Sequence, residues 1–173
     1  MMALRVRAGR LRISLLVCLG ILIAGTVAAY AATNTVPSTR LDQNTFSITA
    51  NALKPSECAA LNLATIVSGS GTLNGTNGND LILASAGADT LNGSAGADCL
   101  VAGSGDDTLD GGAGGDVLLG ADGNDNLSGS GGGDTLYGEA GDDALDGGGG
   151  NDTCDGGSGT DSGTNCETQL NIP

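Results

Sequence analysis

The chain has 173 residues with 32 Gly, two Tyr, one Phe and neither Trp nor His, and its 20 acidic against 6 basic side chains give a formal charge of −14. Such a composition excludes an ordinary globular core and, read alone, resembles a Gly-rich disordered segment. The acidity excludes nucleic acid as a partner and makes a cation the natural one. The missing histidine excludes a His-x-x-x-His zinc helix and any Ser-His or Cys-His nucleophile pair.

In chain order, residues 1–31 have the make-up of a signal peptide. Arg5, Arg7, Arg10 and Arg12 precede an apolar run from Ile13 to Val27, and small residues end in Ala29-Tyr30-Ala31. Cleavage after Ala31 leaves Arg40 and Lys54 against 20 acids, 2 − 20 = −18, on a secreted, extracellular chain. Left uncleaved, the run from Ile13 to Ala32 is about long enough to anchor the chain in a membrane. Residues 32–65 read as an N-terminal spacer and capping segment. Within it Thr45 to Thr49 alternate like an edge strand, and Ser56 is placed to cap one or two helical turns at Cys58 to Leu61.

Residues 75–164 repeat one nine-residue pattern ten times, Gly-x-x-Gly-x-Asp-x-aliphatic-x. Position six is Asp80, Asp89, Asp98, Asp107, Asp116, Asp125, Asp134, Asp143, Asp152 and Asp161, without a gap. Position four is always Gly. Position eight is Ile82, Leu91, Leu100, Leu109, Leu118, Leu127, Leu136 and Leu145, then Cys154 and Gly163. A disordered linker does not hold three residue types in register, so the period predicts a solenoid. Residues 66–74 form a degenerate copy with Gly69 at position four, Leu73 at position eight and Gly71 where Asp belongs, expected to be a metal-free capping turn. Residues 165–173 form the C-terminal cap.

Positions seven to nine are extended, so position eight points one way and its neighbours the other. Two copies make one coil, and alternate copies stack into two parallel sheets whose inward ladders face each other. The eight aliphatic side chains supply far less than the ordering entropy of about ninety residues, so the turns must contribute. Their Gly residues expose carbonyl oxygens and Asp adds a hard anionic oxygen, a donor set suited to calcium. The competing reading is that each Asp only satisfies turn amides. Asp106, Asp110, Asp122, Asp142, Asp146 and Asp155 lie off position six and read as solvated.

The pattern resembles the RTX, or haemolysin-type, calcium-binding nonapeptide repeat. Position one departs from it as Ala84 and Ala102 in two copies. The resemblance implies an all-β chain folded as a right-handed parallel β-roll, with two short-stranded parallel sheets. It also implies Ca2+ between turns of copies n and n+2, held by carbonyls and one Asp carboxylate from each. The pairs are then Asp80/Asp98, Asp89/Asp107, Asp98/Asp116, Asp107/Asp125, Asp116/Asp134, Asp125/Asp143, Asp134/Asp152 and Asp143/Asp161, about eight sites. Members of this family carry such repeats beside protease, lipase or toxin domains, but the stretch ahead of the array is too short for one and the array offers no cleft, so no enzyme is expected.

The four cysteines after the leader, Cys58, Cys99, Cys154 and Cys166, allow three disulfide connectivities. Cys154–Cys166 would close the end of the stack. The register sends Leu81, Leu83, Cys99, Val101, Val117, Leu119, Thr135 and Tyr137 to the outside of one sheet, an apolar strip too continuous to leave wet. One expectation is that residues 46–66, with their apolar Cys58 to Val67, fold across it under a Cys58–Cys99 bond. The other is that the strip binds a protein or cell-surface partner and the cysteines pair otherwise. On the opposite sheet the outward ladder Thr90, Thr108, Asn126, Ala144, Ser162 decays, which argues against an ice-binding face. The leading function is a secreted calcium-binding module that folds on meeting extracellular Ca2+, structural or surface-associated; an adhesive solenoid is the alternative, and an enzyme accessory domain ranks below both.

Overall fold

The computed structural model describes residues 49–173. The leader, the first part of the spacer and four of the five residues of the expected edge strand lie outside that range. Thr49 is not in a strand but leads into a single helical turn, α1 (Ala50–Leu53), whose N-terminus has no side-chain cap. The helix expected behind Ser56 is instead a run of turns closed by bonds three residues back, with Cys58, Ala59 and Leu61 N–H donating to the carbonyls of Pro55, Ser56 and Cys58. A segment this short, tethered at Cys58, does not complete the i to i−4 bonds that define a helix.

The rest is a parallel β-solenoid of about six turns. Its strands are β1 (Thr65–Ser68), β2 (Thr72–Asn74), β3 (Asp80–Leu83), β4 (Thr90–Asn92), β5 (Cys99–Ser104), β6 (Thr108–Ala113) and β7 (Val117–Asp122). They continue as β8 (Asn126–Gly132), β9 (Thr135–Ala140), β10 (Ala144–Asp146), β11 (Gly149–Gly150), β12 (Thr153–Asp155), β13 (Ser162–Thr164) and β14 (Thr168–Leu170). One sheet runs β1-β3-β5-β7-β9-β12-β14 and the other β13-β10-β8-β6-β4-β2, with β11 beside β8. Every pairing is parallel. Within the array the register is one coil, Leu100 opposite Leu118 and Leu109 opposite Leu127, as the nine-residue period requires.

The position-eight residues Ile82 to Leu145 are all buried, with Leu73 and Cys154 continuing the ladders at the two ends. Both terminal coils are shorter than the rest. Thr65 pairs with Asp80 and Thr153 with Thr168, fifteen residues apart where the array uses eighteen, as in Thr135 with Thr153. The opening turn is therefore compressed, and Val67 rather than a residue of the nine-residue frame faces the core beside Ile82. At the far end Gly163 leaves a gap in the ladder that Ile172 fills; a Cβ on Gly163 would come 2.6 Å from the Ile172 side chain.

The apolar outer strip is covered. Leu81, Leu83, Cys99, Val117 and Leu119 are buried although they point away from the core, and Val101 and Tyr137 are half-buried. The cover is the stretch ahead of β1, which buries its own Ala50, Cys58 and Leu63 and is joined to the sheet by the Cys58–Cys99 disulfide. Asn79 Nδ2 also donates to the Asn62 carbonyl at 3.1 Å. Asn51 holds the cover's own shape, its Oδ1 accepting Leu63 N–H at 2.9 Å. The strip is therefore not a free partner surface. Cys154–Cys166 is the second bond. No helix among the described residues is long and apolar enough to cross a membrane.

Candidate metal centre

Most turns between strands are shaped by two glycines, for different reasons. From Gly96 onward the position-four backbone is left-handed and the coils touch; Gly132 has φ 147°, and a Cβ there would collide with the Gly114 carbonyl of the coil below. At position one the constraint is space. A Cβ on Gly129 would sit 2.5 Å from Asp134 Oδ2 and 2.6 Å from the Gly147 carbonyl oxygen. A carboxylate oxygen of one coil and a carbonyl oxygen of the next thus flank a hollow whose dimensions approach the 2.3–2.6 Å of calcium–oxygen bonds.

All ten position-six aspartates are buried, none above 5% exposed. Eight of them, Asp98 to Asp161, use Oδ1 to accept the backbone N–H of the Asp one coil earlier, at 2.7 to 2.9 Å. The aspartates do satisfy turn amides, but those of the coil below and with one oxygen only. Oδ2 of the same eight residues is buried and accepts no hydrogen bond from the protein. A buried anionic oxygen without a partner is strongly unfavourable, so it must take a proton or a cation.

The first two aspartates differ. Asp80 Oδ2 accepts Thr76 N–H and Oγ1, leaving Oδ1 unpartnered, and both oxygens of Asp89 are used, by Gly71 and Ser85 N–H. Thr76 and Ser85 follow position one of their copies, where the sequence offered no hint of a role. Asp89 also belongs to a copy with Ala84 at position one, so there a methyl stands where Gly leaves the hollow open.

In the metal-free chain burial pushes the carboxyls up. Asp116 rises to about 7, and Asp98, Asp125 and Asp134 to about 6, in each case mainly through desolvation, opposed by the N–H bond and reinforced by neighbouring aspartates. Asp107 and Asp143 move the same way. Among the described residues no group of three or more His, Cys, Asp or Glu side chains forms. An ion held here therefore draws on carboxylate pairs and backbone carbonyls, which is oxygen coordination for a hard cation.

The off-position aspartates are exposed or half-buried, yet several are engaged. Asp106 Oδ1, Asn124 Oδ1 and Asp142 Oδ1 accept N–H of Asn124, Asp142 and Thr160 at 2.8 to 2.9 Å, a side-chain ladder up one row of turns. It occupies position five, which carries no fixed residue type and so gave no sequence signal.

Stacked carboxylates with one oxygen bonded and the other bare, beside carbonyl-lined hollows between parallel coils, define a calcium-binding β-roll. The model of the RTX calcium-binding nonapeptide repeat (4 copies) matches residues 66–100, 93–127 and 128–162, more than half of the chain, and the chain belongs to that family. No curated protein and no solved structure matches it.

Proposed function

We propose that this chain is an exported structural or surface-associated module, not an enzyme, whose fold is switched on by extracellular calcium. The observation that carries the reading is the column of buried Oδ2 atoms without protein partners. In a calcium-poor interior these charges oppose folding; where calcium is plentiful, each ion neutralises a carboxylate pair and ties two coils together, so binding energy becomes folding energy. The two disulfides fit an oxidising, extracellular compartment, and the absence of His leaves no general base of the usual kind. Calcium when bound supplies charge neutralisation and cross-linking; the chain's own residues supply rigid turns, a thin apolar core and the cover over one sheet.

Circular dichroism of the chain lacking residues 1–31, with and without calcium, tests this. A β spectrum that appears with about 10⁻⁴ to 10⁻³ M calcium, the range of extracellular modules, and vanishes on chelation is expected. An unchanged spectrum and melting curve after chelation would overturn it.

A further inference from the structure

We propose that Glu167 closes one additional calcium site at the C-terminal end of the stack, facing Asp152 and outside the nine-residue pattern; this rests on the calcium reading above. The compressed last turn pairs Thr153 with Thr168, which sets Glu167 opposite Asp152, where a further repeat would have placed an Asp. The local bonding is that of the array. Asp152 N–H donates to Glu167 Oε2 at 2.7 Å, just as Asp134 N–H donates to Asp152 Oδ1 at 2.8 Å.

Asp152 is 1% exposed and its Oδ2 has no protein partner. That oxygen borders the hollow at Gly147, where a Cβ would lie 2.9 Å from it and against the carbonyl oxygen of Asn165. Gly129 has the same pair of neighbours one coil earlier in Asp134 Oδ2 and the Gly147 carbonyl. The chain thus reproduces the full set of oxygens, a bare aspartate oxygen, a carbonyl of the next coil and a second carboxylate, after the repeat itself has ended. Asn165 turns through φ 51°, and the Cys154–Cys166 disulfide fixes the residue next to Glu167. The longer Glu side chain bridges a coil three residues shorter, eighteen less fifteen. In the other row of turns the last strand, β13, has no strand beyond it, and Asp161 N–H has no carboxylate of a following coil opposite it among the side-chain hydrogen bonds of the described residues.

The test is calcium stoichiometry by flow dialysis on the oxidised chain lacking residues 1–31. The Asp152/Glu167 pair adds one ion to those bound by the Asp–Asp pairs of the array, so the assignment is read as a difference of one ion between variants. Glu167→Gln keeps an oxygen to accept Asp152 N–H but removes the charge, so it separates a capping role from a ligand role. The variant is expected to bind one calcium fewer than the native chain, while Glu57→Gln, on the covering segment, binds the native number. Equal counts for Glu167→Gln and the native chain would overturn the assignment and leave Glu167 as a backbone cap. Should Glu167→Gln not reach the native dichroism in calcium, Asp152→Asn decides, since Asp152 belongs to the Asp134/Asp152 pair and to the end pair: a loss of two ions supports the site and a loss of one refutes it. A native chain that binds no calcium would instead refute the metal reading as a whole.

Discussion

At position six the two carboxylate oxygens have separate duties, and this division sets the response to pH. In the fold Oδ1 accepts an N–H of the preceding coil, whereas Oδ2 needs a counter-charge. In the metal-free fold the carboxyls of Asp98, Asp116, Asp125 and Asp134 sit at about 6 to 7, above their ordinary 3.8. A raised folded value means the folded chain holds the proton more tightly than the unfolded one. The resulting stabilisation is complete below the ordinary value and is lost as pH rises through the folded value. Calcium-free chain is therefore expected to gain β dichroism when acidified from about pH 7.5 to about pH 4.5, and the calcium midpoint to rise over the same interval as protons compete. A calcium-free spectrum that is flat across that range would contradict it. The position-one glycines make a second residue-scale prediction. Gly129→Ala drives a methyl between Asp134 Oδ2 and the Gly147 carbonyl, costing about 1–3 kcal/mol as overpacking does and weakening the Asp134/Asp152 site. Ala102→Gly, which opens a hollow now holding a buried methyl, is expected to lower the calcium midpoint. Opposite shifts in a calcium titration of the two variants check this. The ten Asp residues were legible in the sequence because their period is strict; which oxygen is bonded was not, because it depends on a contact eighteen residues away.

Among the elements, the strands of the array follow from the repeat, and so does the need to cover one sheet, since the register exposes Leu81, Leu83, Val117 and Leu119 on its outside. The terminal coils did not follow, because a turn compressed by three residues leaves the nine-residue frame; Val67 and Glu167 take up their places through strand pairing, helped at Glu167 by the neighbouring disulfide. The helical turn also fell elsewhere than behind Ser56, since Asn51 and Lys54, bonded to the carbonyls of Leu63 and Leu61, organise the cover around the earlier turn. The two disulfides act on different elements, one holding the cover and one the end cap. Their loops span 41 and 12 residues, for which unfolded-chain entropy suggests about 4 and about 3 kcal/mol. Replacing Cys58 and Cys99 together by Ala is therefore expected to lower guanidinium stability in calcium more than replacing Cys154 and Cys166. It is also expected to raise binding of a hydrophobic dye as the strip loses its tether. Unchanged dye binding in the first variant would show that the cover stays in place without its bond.

For the molecule as a whole, charge and topology act together. Residues 49–173 carry Lys54 against 19 acids, 1 − 19 = −18. The stack therefore repels itself until cations enter, and because each coil contacts only its neighbours, stability is a sum of coils and of the links between them. A lesion in the middle divides the column, whereas one at the end shortens it. Asp116 has links on both sides: its Oδ1 accepts Asp98 N–H, and its own N–H donates to Asp134 Oδ1. Asp161 accepts Asp143 N–H and has no coil beyond it in its row. Asp116→Ala thus removes an oxygen from two sites and interrupts one row at its centre, while Asp161→Ala removes one terminal site and leaves every inner link intact. The calcium midpoint is expected to rise by roughly tenfold in the first and about twofold in the second, with a shallower transition for Asp116→Ala as the two halves fold with less coupling. Calcium titrations followed by circular dichroism on both variants give midpoint and steepness together. Equal midpoints would mean that the sites fill independently and that the coils are not coupled through their shared carboxylates.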